Sequence, residues 1–116
     1  MLKDFNRLNK LYDFYGNLLT DNQKKSFELY YAYDFSLNEI AEELSISKQG
    51  VSENIKRAVN NLNLYEDNLK LLQRFEKKEL AIEKLNKMLD ELDINNESEQ
   101  TQKVLKAIKD IIADIG

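Results

Sequence analysis

The stretch between residues 36 and 55 constrains the fold of this chain more than any other, and it runs SLNEIAEELSISKQGVSENI. Ser36 precedes Glu39 by three residues, which is the capping-box pattern at the start of a helix. After a short turn, Ser47 is the N-cap of a second helix. Two short helices joined by a tight turn form a helix-turn-helix, which we predict over residues 36–58.

The apolar residues of this motif suit two helices that cross. The first helix is predicted to span Leu37 to Leu44, and Ala41 lies where the helices approach most closely, since a larger side chain would separate them. Ser45 lies in the turn, where glycine is more common. The other apolar residues are expected to fill the wedge between the motif and a supporting helix: Ile40, Leu44, Ile46, Val51 and Ile55.

Two further helices are predicted before the motif. Gly16 is expected to end the first, because glycine accepts a positive φ without steric cost. Thr20 and Gln23 form another capping-box pair, which starts the second. Both helices have an apolar face at three- and four-residue steps. These faces comprise Leu2, Phe5, Leu8, Leu11, Tyr12 and Tyr15 in the first helix, and Phe27, Tyr30 and Tyr31 in the second.

The sequence after the motif predicts long helices, since it has no proline and no glycine between Gly50 and Gly116. We expect one long helix, or two with a kink near residues 75–78. A loop follows at Asn95, Asn96 and Ser98, and then a last helix with a wide apolar stripe. The predicted seam advances in steps of three and four residues, as in a coiled coil, through Ile55, Val59, Leu62, Tyr65, Leu69, Leu72 and Phe75, and continues at Ile82, Leu85, Leu89 and Leu92.

The predicted fold class is all-α, a helix-turn-helix bundle with a long C-terminal helical extension. We expect residues 1–62 to form the helical domain and residues 63–116 to form the extension. The extension has more apolar surface than a small core needs, so we expect it to form a homodimer. The alternative is that it packs back on the N-terminal helices.

The composition argues against several classes of function. The chain lacks cysteine and histidine, so the usual zinc and haem ligands are missing, and a reducing, cytoplasmic compartment is expected. With three glycines it has no phosphate-binding glycine loop. No apolar run approaches the roughly 20 residues that span a membrane. We therefore expect no enzyme activity, no catalytic residues, no metal or cofactor, and no membrane span.

The second helix of the motif carries the candidate nucleic-acid contacts. A glutamine can pair with adenine through two hydrogen bonds, and lysine or arginine can reach guanine or phosphate. The alternative is that these are ordinary solvated residues, because the net charge is −4 and Glu53 lies among them. The predicted contacts are Lys48, Gln49, Ser52, Lys56 and Arg57.

The residues from Leu19 to Leu62 resemble region 4 of bacterial sigma factors, which binds an upstream promoter element. A resemblance over nearly the whole chain is to the YlxM family of small helix-turn-helix proteins. The residues that carry it are LTDNQKKSFELYY, FSLNEIAEELSISKQGVSENIKR and LYEDNL.

This resemblance implies a regulatory or accessory role in the signal recognition particle pathway. Two hypotheses stay open. In the first, the chain is a regulator that binds DNA or signal recognition particle RNA, as a dimer whose recognition helices suit two half-sites about one helical turn apart. In the second, it is a protein-interaction factor that docks the signal recognition particle GTPase or its RNA complex.

Overall fold

The structure is a computed structural model, and it describes residues 5–95 and 98–115. These residues form helices and no strand, so the all-α prediction is confirmed. The α-helices are α1 (Phe5–Tyr15), α2 (Asp21–Phe27), α3 (Leu37–Leu44), α4 (Lys48–Leu69), α5 (Leu71–Asn95) and α6 (Glu99–Ile115), with a 3-10 turn at Gly16–Leu18 and a π-helical turn at Glu28–Ala32.

The chain divides into two compact units, and the boundary lies between Leu72 and Gln73. The N-terminal unit continues ten residues beyond the predicted end of the helical domain at residue 62, because Glu66 and Leu72 are buried in it. Helices α1 to α4 surround its core. The buried apolar residues are Leu8, Leu11, Tyr15, Leu19, Phe27, Tyr31, Ile40, Val51, Ile55, Ala58, Leu62 and Leu72.

Helix α1 ends directly before Gly16, as predicted, but the conformation of this glycine differs from the prediction. Helix α1 stops at Tyr15, but Gly16 does not take a positive φ and instead begins the 3-10 turn. The reason for a glycine here is close packing, because a Cβ atom at Gly16 would lie 2.8 Å from Cε2 of the Tyr12 ring. That ring stacks on Phe27 with the centroids 4.8 Å apart.

The second helix begins as predicted. Thr20 and Gln23 form the capping box, with both hydrogen bonds 3.3 Å long. The helix then widens into the π-helical turn, where the N–H of Tyr33 donates to the Glu28 carbonyl at 3.1 Å. This turn holds the two adjacent tyrosines, and Tyr31 is buried whereas Tyr30 is half-buried. Such turns are frequent at functional sites.

The long C-terminal helix is interrupted at Lys70 and not near residues 75–78, where the kink was predicted. Lys70 takes the left-handed conformation, with φ 56°, and its N–H donates to the Glu66 carbonyl at 2.8 Å. From Leu71 the helix α5 is then continuous to Asn95. The prediction missed this break because left-handed helix ends usually carry glycine.

A buried polar cluster holds the break in place. The Glu66 carboxyl group accepts a hydrogen bond from the Tyr15 hydroxyl at 2.7 Å and another from the Leu72 N–H at 3.0 Å. The Tyr15 hydroxyl in turn accepts from the Leu71 N–H at 3.0 Å. Two of the first N–H groups of α5, which have no partner within the helix, are satisfied in this way. Burial and the bond to Glu66 both raise the pKa of Tyr15.

Asparagines on α4 fasten it to the earlier helices. The Asn61 amide donates to the Gln23 side chain at 3.3 Å, and Arg7 donates to the Asn63 side chain at 2.6 Å. Asparagine has a low intrinsic preference for helices. Helix α4 is nevertheless continuous through them.

The C-terminal unit is a helical hairpin. The short segment between residues 95 and 99 joins α5 to α6, and Leu89, Leu105 and Ile112 form a small core against which Ile82 packs. In the predicted seam Leu89 is buried and Ile82 half-buried, whereas Leu85 and Leu92 are exposed. Of the predicted loop, Asn95 is the last residue of α5 and Ser98 precedes α6, while Asn96 lies outside the described residues, as does Leu2.

Candidate nucleic-acid interface

The helix-turn-helix is formed by α3 and α4, and its local capping signals are satisfied. The Glu39 N–H donates to the Ser36 hydroxyl at 3.1 Å, and the Ser36 N–H donates to the Glu39 carboxylate at 3.0 Å. At the start of α4, the Ser47 hydroxyl accepts from the Gly50 N–H at 2.9 Å. Both helices therefore begin where the serines predicted.

The turn between the helices has the geometry of a Schellman motif. Ser45 takes the left-handed conformation, with φ 55°. Its N–H donates to the Glu42 carbonyl at 3.3 Å, and the N–H of Ile46 donates to the Ala41 carbonyl at 3.1 Å. A serine therefore occupies a position that favours glycine. Ile46 and Ala41 both pack against the core, which fixes the direction in which the chain enters α4.

Gly50 allows α4 to begin closely against its cap. A Cβ atom at this position would lie 3.1 Å from the Ser47 hydroxyl oxygen, which is tighter than most such contacts. Gly50 does not have a positive φ, so the conformational freedom of glycine is not needed here. The lack of a side chain matters instead, because it leaves room for the Ser47 hydroxyl.

The five predicted contact residues are all exposed on the first three turns of α4. Lys48, Ser52 and Lys56 recur every four residues, so they lie along one line of the helix surface. Gln49 lies beside this line, at about 100° from Lys48. Arg57 lies farther round the helix, at about half a turn from Lys48, so the structure groups it less closely with the other four.

The acidic residue in this face has a partner. The Arg57 guanidinium lies 3.3 Å from the Glu53 carboxylate, in an exposed pair one turn apart. Such a pair adds little to stability, but it reduces the negative potential of Glu53 next to the lysines. Within the ranges that the structure describes, neither Lys48 nor Lys56 has a carboxylate within 4 Å.

The preceding helix presents a negative surface. Glu39, Glu42 and Glu43 are all exposed on α3. The hydrogen bond from the Ser36 backbone lowers the pKa of Glu39, so this carboxylate stays charged at pH values below its ordinary titration range. The exposed line of α4 is therefore positively charged, whereas the exposed surface of α3 in the same helix-turn-helix is negatively charged.

An apolar groove borders the candidate contacts. It is a cavity of about 450 Å³, which is within the usual range for ligand sites. Ser52 and Lys56 line it together with residues of α1, the π-helical turn and α3. The sequence predicted that Tyr30 and Tyr31 face the core. Helical periodicity cannot distinguish a tyrosine that is only packed in the core from one that also lines a groove beside it. The lining residues are Leu8, Tyr30, Tyr31, Leu37, Ser52, Ile55, Lys56, Val59 and Asn60.

In the part of the chain that the structure describes, no three metal-ligating side chains come together. Nor do the described helices include one that is both long enough and apolar enough to cross a membrane.

Comparison with known proteins assigns the family. A family model described as "Putative helix-turn-helix protein, YlxM / p13 like" (UPF0122) matches residues 2–111. The chain belongs to the UPF0122 family. The resemblance to YlxM proteins predicted from the sequence is therefore confirmed.

Individual UPF0122 proteins match over nearly their full length. The chain is similar to one from Thermoanaerobacter sp. (strain X514), with 43% identity over 97% of this chain and 93% of that protein. It is also similar to one from Bacillus mycoides (strain KBAB4), with 44% identity over 94% of this chain and 97% of that protein. The family description names a helix-turn-helix and no enzymatic reaction.

Proposed function

We propose that this UPF0122 chain is a regulatory protein that binds nucleic acid through α4. The observation that supports this is the exposed line of Lys48, Ser52 and Lys56 on the second helix of a helix-turn-helix, where no carboxylate of the described residues lies within 4 Å of either lysine. Gln49 supplies a base contact beside the line, and Arg57 contacts the backbone after it separates from Glu53.

Two types of nucleic acid fit this proposal, namely duplex DNA and a structured RNA. The family resemblance is the reason for proposing the RNA of the signal recognition particle as the ligand, and also for proposing a role in that pathway. We also propose that the protein acts in the cytoplasm and as a homodimer, and the lack of cysteine agrees with a reducing compartment. In DNA the recognition helix would lie in the major groove.

The test is a fluorescence-anisotropy titration at low salt with labelled duplex DNA and with signal recognition particle RNA. The Lys48→Ala/Lys56→Ala variant is expected to bind the preferred nucleic acid at least tenfold more weakly than the wild type, because two phosphate contacts are lost. Lys84→Ala is a matched control, since it removes an exposed lysine from the other compact unit. Equal affinities for the wild type and the double variant would contradict the proposal.

A second candidate function is docking of a protein, for which the family resemblance names the signal recognition particle GTPase. The groove that Tyr30, Tyr31 and Leu37 line favours it, because an apolar side chain of a partner could insert there. The acidic surface of α3 would attract a basic partner. Recovery of the tagged protein from extract with and without nuclease separates the two functions. A GTPase retained after nuclease treatment supports docking, and one lost with the RNA supports nucleic-acid binding.

A further inference from the structure

The C-terminal hairpin exposes more apolar surface than it buries in its own core. Beside the three buried residues of that core, nine large apolar residues are exposed among the described residues of this unit, and the seven that follow Leu80 are between 38% and 60% exposed. They are Leu85, Met88 and Leu92 on α5, and Val104, Ile108, Ile111 and Ile115 on α6.

These residues form one face. At about 100° per residue, the three on α5 lie roughly a quarter turn to one side of the inward-facing Ile82 and Leu89. The four on α6 lie on average a quarter turn from Leu105 and Ile112, in the same rotational sense. Because the two helices of a hairpin are antiparallel, the same rotational sense brings both stripes to the same side.

The other side of the hairpin is charged. Lys109 on α6 lies 2.8 Å from Asp90 and 3.8 Å from Asp93 on α5, which confirms that the two helices pair along this length. Helical geometry places Asp90 and Lys109 on the side opposite the seven apolar residues. The hairpin therefore has one charged side and one apolar face.

The size of the apolar face is that of a protein interface. If a fully exposed residue of this kind has roughly 200 Å², the seven exposed fractions correspond to about 700 Å², near the roughly 800 Å² that each partner buries in a standard interface. It also exceeds the roughly 300–600 Å² of the largest apolar patch on a typical monomer. A face of this size and composition is expected to be covered.

We propose that this face packs against the same face of a second copy, so that two hairpins form a four-helix bundle. The inference rests on the homodimer of the proposed function and names its surface. A second copy fits because the seven residues are all apolar, so the face is complementary to itself and brings no like charges together. The exposed area also matches what one partner of a stable dimer buries.

The first experiment is light scattering of the full chain at micromolar concentration. The wild type is expected to have twice the monomer mass of 13.6 kDa. Ile111→Asp, at the centre of the face, is expected to give the monomer mass. Leu80→Asp is the matched control and should stay dimeric, because Leu80 is 66% exposed but lies about a third of a turn from the centre of the apolar face on α5 and precedes the first residue of that face by more than one turn.

A second experiment answers the objection that Ile111→Asp only unfolds the hairpin. The chain has no cysteine, so Met88→Cys and Leu80→Cys each introduce a single thiol. Helices in a bundle lie about 8–10 Å apart, so a short bis-maleimide should join two Met88→Cys chains and leave Leu80→Cys chains unlinked. Equal linking of the two variants would overturn the proposal.

The outcomes that would overturn the dimer surface can be distinguished from a failure of nucleic-acid binding. A wild-type monomer that still binds nucleic acid would overturn this inference and leave the recognition proposal intact. A dimer that Ile111→Asp does not dissociate would overturn the surface proposed here. A monomer whose Ile111→Asp variant loses another protein from extract would also overturn it, since the face would then belong to that partner.

Discussion

The buried hydroxyl of Tyr15 offers a sharp test of how the N-terminal unit ends. Tyr15→Phe keeps a ring that is 1% exposed and removes only the oxygen that bonds to Glu66 and to the Leu71 N–H. Leaving these buried groups without a partner is expected to lower the free energy of unfolding by about 2 kcal/mol, from a usual range of roughly 1–3 kcal/mol.

The assay is urea unfolding followed by circular dichroism, with thermal melts in parallel. For a unit of this size, 2 kcal/mol corresponds to a decrease in Tm of about 8–16 °C. Tyr65→Phe is the matched control, since the Tyr65 hydroxyl makes a long, exposed bond of 3.4 Å to the Leu18 carbonyl. We expect its cost to be under about 0.5 kcal/mol. Equal losses in the two variants would refute the role assigned to the cluster.

Three further predictions follow from the same structure. Ser45→Gly should raise the free energy of unfolding by about 0.5–1 kcal/mol in urea titrations, because serine is strained at φ 55°, and an unchanged midpoint would contradict this. Stability should fall as pH rises above 10 and less so in Tyr15→Phe, because the raised pKa of Tyr15 favours its protonated form in the fold; parallel pH curves would count against it. Glu53→Gln should tighten nucleic-acid binding severalfold in anisotropy titrations, since it releases Arg57, and weaker binding would show that the carboxylate contacts a base.

The sequence predicted the local features of the helix-turn-helix because these depend on neighbours in the chain. Ser36, Glu39 and Ser47 carry their capping partners within three residues, so the helix starts follow from spacing alone. The exposure of the candidate contacts on α4 followed likewise from the helical period. Their role in binding stays a prediction.

Features that depend on tertiary packing were not predictable. Glu66 belongs by type to a solvated helix face, yet it is buried because Tyr15, 51 residues away, supplies a hydrogen bond. The break at Lys70 follows from that cluster and carries no glycine signal. Gly16 was assigned a left-handed conformation, but the Tyr12 ring explains it instead, and that contact is invisible in the spacing.

The proposal that α4 binds nucleic acid is tested most directly by the salt dependence of that binding. The logarithm of the wild-type binding constant should fall linearly with the logarithm of salt concentration. Lys48→Ala/Lys56→Ala should reduce this slope by about two, one for each lysine that contacts phosphate. Absence of binding at low salt to both duplex DNA and signal recognition particle RNA, or a slope that the double variant leaves unchanged, would contradict it.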